Sequence, residues 1–287
     1  MTSVVIAAHD EAAVIERCLE GLRANGPGLD VVVVANGCAD DTADRARRAG
    51  ARVLELAAPG KAAALDAGDA VASSFPRLYL DADIVVPSGG VAALVAALGQ
   101  PDGVLAAVPS RRVDVSGRPL LVRAYFAVNG RLPAYRDGLF GRGLIAVSDR
   151  GRSRFTGFPR MVADDLFLDS LFGPEEKRTV TSVVVVVEAP RRSRDLLRRL
   201  VRVRRGNAAM RRAGVKGLVT ATIRPADRWA WWGVVRTRPQ LWPSAAVYVG
   251  ITTAAALWAR MTPGAKGWAR DDSTRGSSPG SAAEEAA

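Results

Sequence analysis

The sequence predicts an α/β protein built on a mostly parallel, Rossmann-like β-sheet flanked by helices. Short β-branched runs alternate with longer Ala-rich stretches, the runs are apolar throughout, and polar side chains directly follow several of them. Strands that are apolar on both faces are typical of parallel sheets covered by helices. The alternation of runs and stretches is that of repeated βαβ units.

Predicted strands and helices alternate over the first hundred residues. Each run has the length of a buried strand, and each intervening stretch begins at polar residues or at Gly and Pro, as helices do. We expect strands at residues 4–8, 31–35, 51–56, 77–80 and 104–108, and helices at residues 12–24, 40–49, 61–72 and 89–98.

After residue 110 the pattern is less regular. Gly/Arg-rich segments are expected up to residue 173, with one short helix at residues 164–171. A further strand is expected at residues 179–187, and Pro190 then begins a strongly basic helix that runs to about Met210.

These elements predict three parts of the chain. An α/β domain is expected over residues 1–212, followed by a basic, Trp-bearing helical extension over residues 213–270. The Ser-, Gly- and Glu-rich residues 271–287 have the composition of a disordered tail.

Composition and charge restrict the classes of function. The 287 residues include 40 Lys and Arg against 29 Asp and Glu, a net charge of +11, which favours nucleotides, nucleic acid or a membrane surface as partners. With 48% hydrophobic residues, the chain is not wholly disordered. Two cysteines exclude a disulfide-rich secreted module, and we expect a reducing compartment. No basic region precedes the first apolar run, so no cleaved leader is expected.

The strongest chemical signal is Asp81-Ala82-Asp83, which directly follows an apolar strand. Open α/β sheets bind their ligands at the carboxyl ends of strands. Two carboxylates there suit a hard divalent cation, Mg²⁺ or Mn²⁺, that also binds a diphosphate. A solvated turn or a helix cap at Asp83 is the alternative interpretation.

Polar motifs also follow the first two strands. His9-Asp10-Glu11 contains the single histidine of the chain, whose ring is placed to stack on a flat ligand or to hydrogen-bond it. A structural histidine is the alternative. Asn36 ends the second strand before a helix with an acidic start, where it is a candidate for contact with a base.

Together these motifs resemble family 2 inverting glycosyltransferases, which have the GT-A fold. The resemblance rests on four segments in the family's order: Ile6-Ala7-Ala8-His9-Asp10-Glu11, Ala35-Asn36-Gly37-Cys38-Ala39-Asp40-Asp41-Thr42, Gly60-Lys61-Ala62-Ala63-Ala64-Leu65-Asp66-Ala67-Gly68 and Asp81-Ala82-Asp83. It implies that the protein transfers one sugar from a nucleotide-diphosphate sugar to a hydroxyl acceptor, with inversion and with help from Mg²⁺ or Mn²⁺.

The resemblance implies a donor site at the ends of the first strands. His9 would pack on the nucleobase and Asn36 would pair with the base edge, with Glu11 also at the substrate. The sequence departs from the family at Ala35 and Asn36, where two acidic residues are usual.

The diphosphate and sugar would lie near three further residues. By resemblance, Asp81 lies near the ribose or the sugar, Asp83 binds the metal ion, and Lys61 lies on the donor side. A solvated lysine at the start of a helix is the alternative for Lys61.

Acceptor-side residues are also implied by resemblance. The stretch containing Gly143 is similar to the Gly-rich turn and strand that line the family's acceptor side. Asp164-Asp165 resembles its Glu-Asp motif, with Asp164 at the substrate and Asp165 as the catalytic base. Inversion needs such a group, because a carboxylate must take the acceptor proton as the bond forms. A doubled helix cap is the alternative.

Basic and apolar features of the last third point to anionic surfaces. Arg191 and Arg194 are candidates to neutralise the leaving diphosphate, while most other arginines of that helix are expected to face solvent or lipid. The family's processive Gln-x-x-Arg-Trp motif is not found, which argues against a polymer synthase. Residues 241–259 carry no charge and suit an interfacial helix, a core helix or a membrane span.

We therefore expect a cytoplasmic enzyme, peripheral to the inner face of the cell membrane, that does not act on nucleic acid. Two alternatives remain at this point. A nucleotidyltransferase would have a Gly-rich, basic turn after the first strand. A non-catalytic basic module would bind anionic lipid or nucleic acid through the arginines.

Overall fold

A single seven-stranded sheet forms the centre of the computed structural model, which describes residues 1–100, 102–161, 163–219 and 221–262. The strands are β1 (Thr2–Ala8), β2 (Leu29–Asn36), β3 (Arg52–Leu56), β4 (Arg77–Asp81), β5 (Ala106–Asp114), β6 (Leu144–Val147) and β7 (Lys177–Glu188). The helices are α1 (Ile15–Arg23), α2 (Thr42–Arg48), α3 (Lys61–Val71), α4 (Gly90–Leu98), α5 (Leu120–Asn129), α6 (Pro133–Asp137), α7 (Asp149–Arg152), α8 (Asp164–Leu171), α9 (Ser193–Val215), α10 (Ala230–Val235) and α11 (Trp242–Met261).

The strand order is β3-β2-β1-β4-β6-β5-β7, and β6 alone among these strands runs antiparallel to its neighbours. The predicted mostly parallel sheet is confirmed. Ala8 pairs with Ala35, and Ala7 pairs with Asp81. The carboxyl ends of β2, β1 and β4 therefore lie side by side at one edge of the sheet, which we call the carboxyl edge.

Apolar side chains from both faces of the sheet form the core. Every residue of β1 is buried, because helices cover both of its faces. Val5 and Val34 pack with Leu65 of α3 on one face, whereas Ile6 packs with Leu22 of α1 on the other. This two-sided burial explains why the strands are apolar at consecutive positions.

The structure differs from the sequence prediction in the middle of the chain. Residues 120–129, expected to be irregular, form α5, whose Val122 and Tyr125 are buried. They pack beside Leu196 of α9, a contact that a local pattern does not reveal. The basic helix α9 extends to Val215, beyond the predicted end of the domain.

A helical layer, formed by α5, α9, α10 and α11, lies beyond the sheet. The ring of Tyr248 on α11 stacks on that of Tyr125 on α5, with 5.2 Å between the ring centroids. The helical stretch Pro239–Met261 is the single one in the described ranges that is long and apolar enough to cross a membrane, by length and composition only. The predicted tail at residues 271–287 lies outside the described residues.

Candidate active site

The predicted donor residues follow or end the three central strands of the carboxyl edge. His9 follows β1, Asn36 is the last residue of β2, and Asp81 is the last residue of β4. The parallel register brings these positions together, although they are separated by many residues in the sequence.

Asn36 holds the loops of this edge together. Its side chain is fully buried, its amide nitrogen donates to the carbonyl oxygen of Ala8 at 2.6 Å, and its amide oxygen accepts the N–H of Gly60 at 2.8 Å. Asn36 therefore ties the end of β1 to the start of α3. Its contact with a base edge stays a prediction, and that contact would require the amide to leave these bonds.

His9 and Glu11 are positioned by the same pair of loops. The His9 Nδ1 atom lies 2.7 Å from the carbonyl oxygen of Asn36, which fixes the plane of the ring. Glu11 is buried, and its N–H donates to the Thr42 hydroxyl at 2.7 Å. Its carbonyl oxygen accepts the N–H groups that begin α1, so Glu11 has a structural role, and its substrate contact stays a prediction.

Lys61 joins the donor and acceptor motifs. As the first residue of α3, it places its Nζ atom 2.7 Å from Asp81 Oδ1 and 2.8 Å from Asp164 Oδ2. Burial opposes its charge, but Asp164, Asp81 and Asp165 hold the pKa of Lys61 well above its ordinary value. The lysine is therefore charged and binds both motifs, which the sequence did not indicate.

Asp165 has the properties of a general base. Its Oδ2 atom accepts the N–H of Gly141 at 3.0 Å, which orients the carboxylate. Burial and the negative charge of Asp164 raise the pKa of Asp165 to about 7, against the opposing effect of Lys61. A carboxylate with such a pKa can take up a proton near neutral pH, unlike an ordinary aspartate.

Gly143 is required by the close approach of its backbone to Asp81. Its φ of +64° lies in the left-handed region, and its carbonyl oxygen accepts the Asp81 N–H at 2.7 Å. A Cβ atom at this position would lie 2.5 Å from Ile84 Cγ1 and 3.0 Å from Asp81 Oδ2. The turn before β6 therefore packs directly against the Asp-x-Asp motif.

Asp83 lies in the turn after β4. The turn is closed by a bond of 3.1 Å from the Ile84 N–H to the carbonyl oxygen of Asp81. The other acid of the motif, Asp81, is bound to Lys61, whose Nζ atom also contacts Asp164. Carboxylate oxygens in a turn beside a ligand crevice fit a hard divalent cation.

The turn that carries Gly141 is held by arginines whose role the sequence did not indicate. Arg111 donates to the Gly141 carbonyl oxygen at 3.1 Å, and its guanidinium carbon lies 3.5 Å from the centroid of the Tyr135 ring. Arg142 is buried and donates to the carbonyl oxygens of Gly138 and Tyr135, both at 2.6 Å. These contacts fix the backbone that orients Asp165.

Arg191 and Arg194 lie at or before the start of α9, after β7. Strands β6 and β5 separate β7 from β4 in the sheet, so α9 begins at the far end of the carboxyl edge. The side chain of Arg194 is largely exposed and lies 3.8 Å from Asp195. Contact of Arg191 and Arg194 with a diphosphate stays a prediction.

The carboxyl edge lies in the part of the chain that matches a family model. The family model described as Glycosyl transferase family 2 matches residues 3–153, more than half of the chain. Among curated proteins, no sequence gives a significant match. The matched residues include the carboxyl edge with His9, Lys61 and the Asp-x-Asp motif.

Solved structures share the fold. The mannosyltransferase of Pyrobaculum calidifontis, in complex with GDP-Man and Mn²⁺, is 23% identical with a TM-score of 0.59 over 91% of this chain and 79% of that one. Glucosyl-3-phosphoglycerate synthase of Mycobacterium tuberculosis, in complex with Mn²⁺, UDP and glucosyl-3-phosphoglycerate, is 23% identical with a TM-score of 0.55 over 74% and 78%. The chain belongs to glycosyl transferase family 2 and is a nucleotide-sugar transferase of the GT-A fold.

Proposed function

We propose that the enzyme transfers a single glycosyl unit from a nucleotide-diphosphate sugar to a hydroxyl acceptor, with inversion, and that Asp165 is the general base. The acceptor hydroxyl belongs to a glycan, a lipid-linked sugar or a small molecule. The observation that carries the proposal is the setting of Asp165: a partly buried carboxylate, oriented by the Gly141 N–H, with a pKa of about 7.

Inversion in one displacement assigns a specific task to this carboxylate. As the acceptor oxygen bonds to the anomeric carbon and the bond to the diphosphate breaks, the hydroxyl proton must leave the acceptor. Asp165 Oδ2 is held by the Gly141 N–H, so Oδ1 is the atom assigned to receive that proton. Asp164 is instead bound to Lys61, which makes it a positioning residue for the donor side.

Lys61 affects both donor binding and the proposed base, because it lies between Asp81 and Asp164. Its charge offsets those of Asp81 and Asp164, so an anionic donor approaches a less negative edge than the carboxylates alone would make. Its cation also lowers the pKa of Asp165, which keeps the base ionised at a lower pH.

The residues of the Asp-x-Asp turn fit a divalent cation. The donor set is all oxygen, and Lys61 screens Asp81, so Asp83 is the residue proposed to hold Mg²⁺ or Mn²⁺. When bound, the ion would stabilise negative charge on the departing diphosphate. The Mn²⁺ named with both solved structures above is consistent with this assignment.

Calorimetry with nucleotide-diphosphate sugars tests the donor and metal parts of the proposal. A thermal-shift screen with Mn²⁺ first selects the donor that raises the melting temperature most, because a ligand of the folded state stabilises it. We then expect strong donor binding with Mn²⁺ and weak binding in excess chelator. Asp83→Ala should remove this difference, and equal affinity of the wild type in chelator would contradict the metal assignment.

We also propose that the helical layer seats the enzyme on an anionic membrane at the cytoplasmic face. Trp229, Trp232 and Trp242 are more than half exposed, and indole rings favour the interface between water and lipid. Exposed arginines stand beside them, Arg236 and Arg238 among them, and suit the charge of anionic lipids.

The non-catalytic and nucleotidyltransferase alternatives are disfavoured by the family match.

A further inference from the structure

We propose that His9, Asp10 and Cys38 form a second metal site, for a transition-metal ion such as Zn²⁺. One ligand atom from each of these side chains lies within 4.8 Å of the other two. Imidazole nitrogen, carboxylate oxygen and thiolate sulfur are the ligands that zinc takes in proteins. The set differs from the all-oxygen Asp81 and Asp83, which suit Mg²⁺ or Mn²⁺.

The ring of His9 is prepared for a metal by its hydrogen bond. Nδ1 lies 2.7 Å from the carbonyl oxygen of Asn36. With Nδ1–H donating to this carbonyl, Nε2 is the ring nitrogen that would bind an ion, the arrangement usual for metal-binding histidines. The carbonyl itself is fixed, since the Asn36 side chain is buried and bonded to Ala8 and Gly60.

Asp10 and Cys38 are brought to His9 by bonds between the two loops. Asp10 has a left-handed φ of +50°, and its Oδ1 atom accepts the Ala39 N–H at 2.6 Å. Its Oδ2 atom lies 3.8 Å from His9 Nε2. The Asp10 N–H donates to Cys38 Sγ at 3.4 Å, which places the sulfur beside Asp10.

The three ligand atoms, now within 4.8 Å of one another, must move closer together to bind zinc. Zinc bonds of about 2.0 to 2.3 Å in a tetrahedron place ligand atoms about 3.3 to 3.8 Å apart. His9 Nε2 and Asp10 Oδ2, which are 3.8 Å apart, must approach by about 0.3 to 0.5 Å to suit nitrogen and oxygen ligands. Cys38 must also move, and its Sγ must give up its bond to the Ala8 carbonyl oxygen at 3.6 Å. A fourth position remains for water or another ligand.

Metal binding at this site would compete with the sugar nucleotide. This consequence rests on the proposed function and on the predicted packing of the His9 ring on the nucleobase. A ring that is bound to zinc, with a water molecule beside it, is not available for stacking. Zn²⁺ at this site is therefore expected to inhibit the enzyme by weakening donor binding.

Titration of the metal-free full chain with Co²⁺, a spectroscopic substitute for Zn²⁺, tests the site without any nucleotide. We expect a sulfur-to-cobalt charge-transfer band and displacement of cobalt by zinc. Cys38→Ser should abolish the band and weaken binding at least about tenfold, since even loss of an outer-shell partner costs that much. His9→Gln should weaken binding similarly and reduce the ligand field.

Two variants serve as controls. Cys18→Ala removes the other cysteine, which is buried in the core, and Asp83→Asn alters the Asp-x-Asp motif. Both should keep the cobalt band, with circular dichroism confirming that each variant is folded. A band that survives in Cys38→Ser, a band lost in Cys18→Ala, or no band in the wild type would overturn the site.

A second titration separates this proposal from the proposed function. Donor affinity is measured with saturating Mg²⁺, with and without Zn²⁺, in the wild type and in Cys38→Ser. Weaker donor binding in the wild type alone supports competition. Unchanged donor affinity despite a normal cobalt band would overturn the competition, and failure of donor binding in both proteins without Zn²⁺ would instead contradict the proposed function.

Discussion

Charged side chains have different surroundings at the carboxyl edge of the sheet and in the helical layer. At the edge, Lys61 lies between Asp81 and Asp164, and Asp165 is bound by the Gly141 N–H. In the helical layer, several arginines and tryptophans are exposed to solvent, among them Arg198, Trp232 and Trp242. This contrast is consistent with the proposals that the edge positions the reacting groups and that the layer contacts an anionic membrane.

Among substitutions at the carboxyl edge, that of the proposed base should cause the largest loss of activity. Asp165→Asn removes the proton acceptor, so we expect kcat to fall by roughly 10² to 10⁴, the usual contribution of a general base. Donor affinity should stay nearly unchanged, because Asp165 acts on the acceptor. Rapid-mixing measurements of transfer, with calorimetry of donor binding, check both values.

Asp164→Asn is the matched control for that substitution. An asparagine keeps the size of the side chain but weakens the ion pair with Lys61. We expect the main change in donor affinity. If Asp164→Asn loses the transfer rate while Asp165→Asn retains it, the two roles are assigned the wrong way round.

Gly143→Ala should be the next most damaging change. The new Cβ would meet Ile84 Cγ1 at 2.5 Å and Asp81 Oδ2 at 3.0 Å. Such overpacking costs about 1 to 3 kcal/mol of folding free energy, and it should also weaken donor binding by moving Asp81. Denaturant melts and donor titrations measure the two effects.

Gly117→Ala isolates the contribution of backbone strain. Gly117 has the same φ of +64°, but no heavy atom lies within 4 Å of a Cβ built on it. We expect a smaller loss of stability and unchanged donor binding. Equal losses in both variants would show that the contact between the Gly143 turn and Asp81 has no special importance.

The pH dependence of kcat/KM should reflect the ionisation of Asp165 and its interaction with Lys61. Asp165 must be ionised to accept a proton, so with its pKa raised to about 7, kcat/KM should rise about tenfold per pH unit below that value and level off above it. Lys61→Met removes the cation that lowers this pKa, so its acidic limb should move to higher pH. An unshifted limb would argue against coupling between Lys61 and Asp165.

Much of the fold could be predicted because its signals are local. Strands β1 to β4 and helices α2 to α4 could be predicted from apolar runs and from the polar, Gly and Pro residues between them. The antiparallel β6 and the helix α5 depend on packing between distant segments, as with Tyr125 against Tyr248. Single-sequence patterns carry no information on such contacts.

The site was predictable in its residue types but not in its contacts. The Asp-x-Asp motif suggested a divalent cation, and the family resemblance implied the roles of Asp83 and Asp165, which stay predictions. The bridge of Lys61 to Asp164 depends on how α3 and α8 meet in three dimensions. Likewise, the burial of Asn36 follows from the approach of Gly60, which belongs to a different loop.

The smallest effect is expected in the helical layer. Binding to vesicles that contain phosphatidylglycerol should weaken with salt, since each basic residue near the surface contributes about 1 kcal/mol. Trp232→Ser combined with Trp242→Ser should reduce sedimentation with vesicles several-fold while leaving transfer to a soluble acceptor unchanged. Val71→Ser, on the partly exposed end of α3, is the control. Binding that is insensitive to both salt and the tryptophans would contradict the membrane proposal.

The anomeric configuration of the first product tests the central claim most directly. Proton NMR of the transferred sugar, recorded before any later equilibration, reports whether the new bond has the configuration of the donor. A single displacement assisted by Asp165 predicts a product of opposite configuration to the donor. A product that retains the donor configuration would contradict the account, because Asp165 would then not be the base of a one-step transfer.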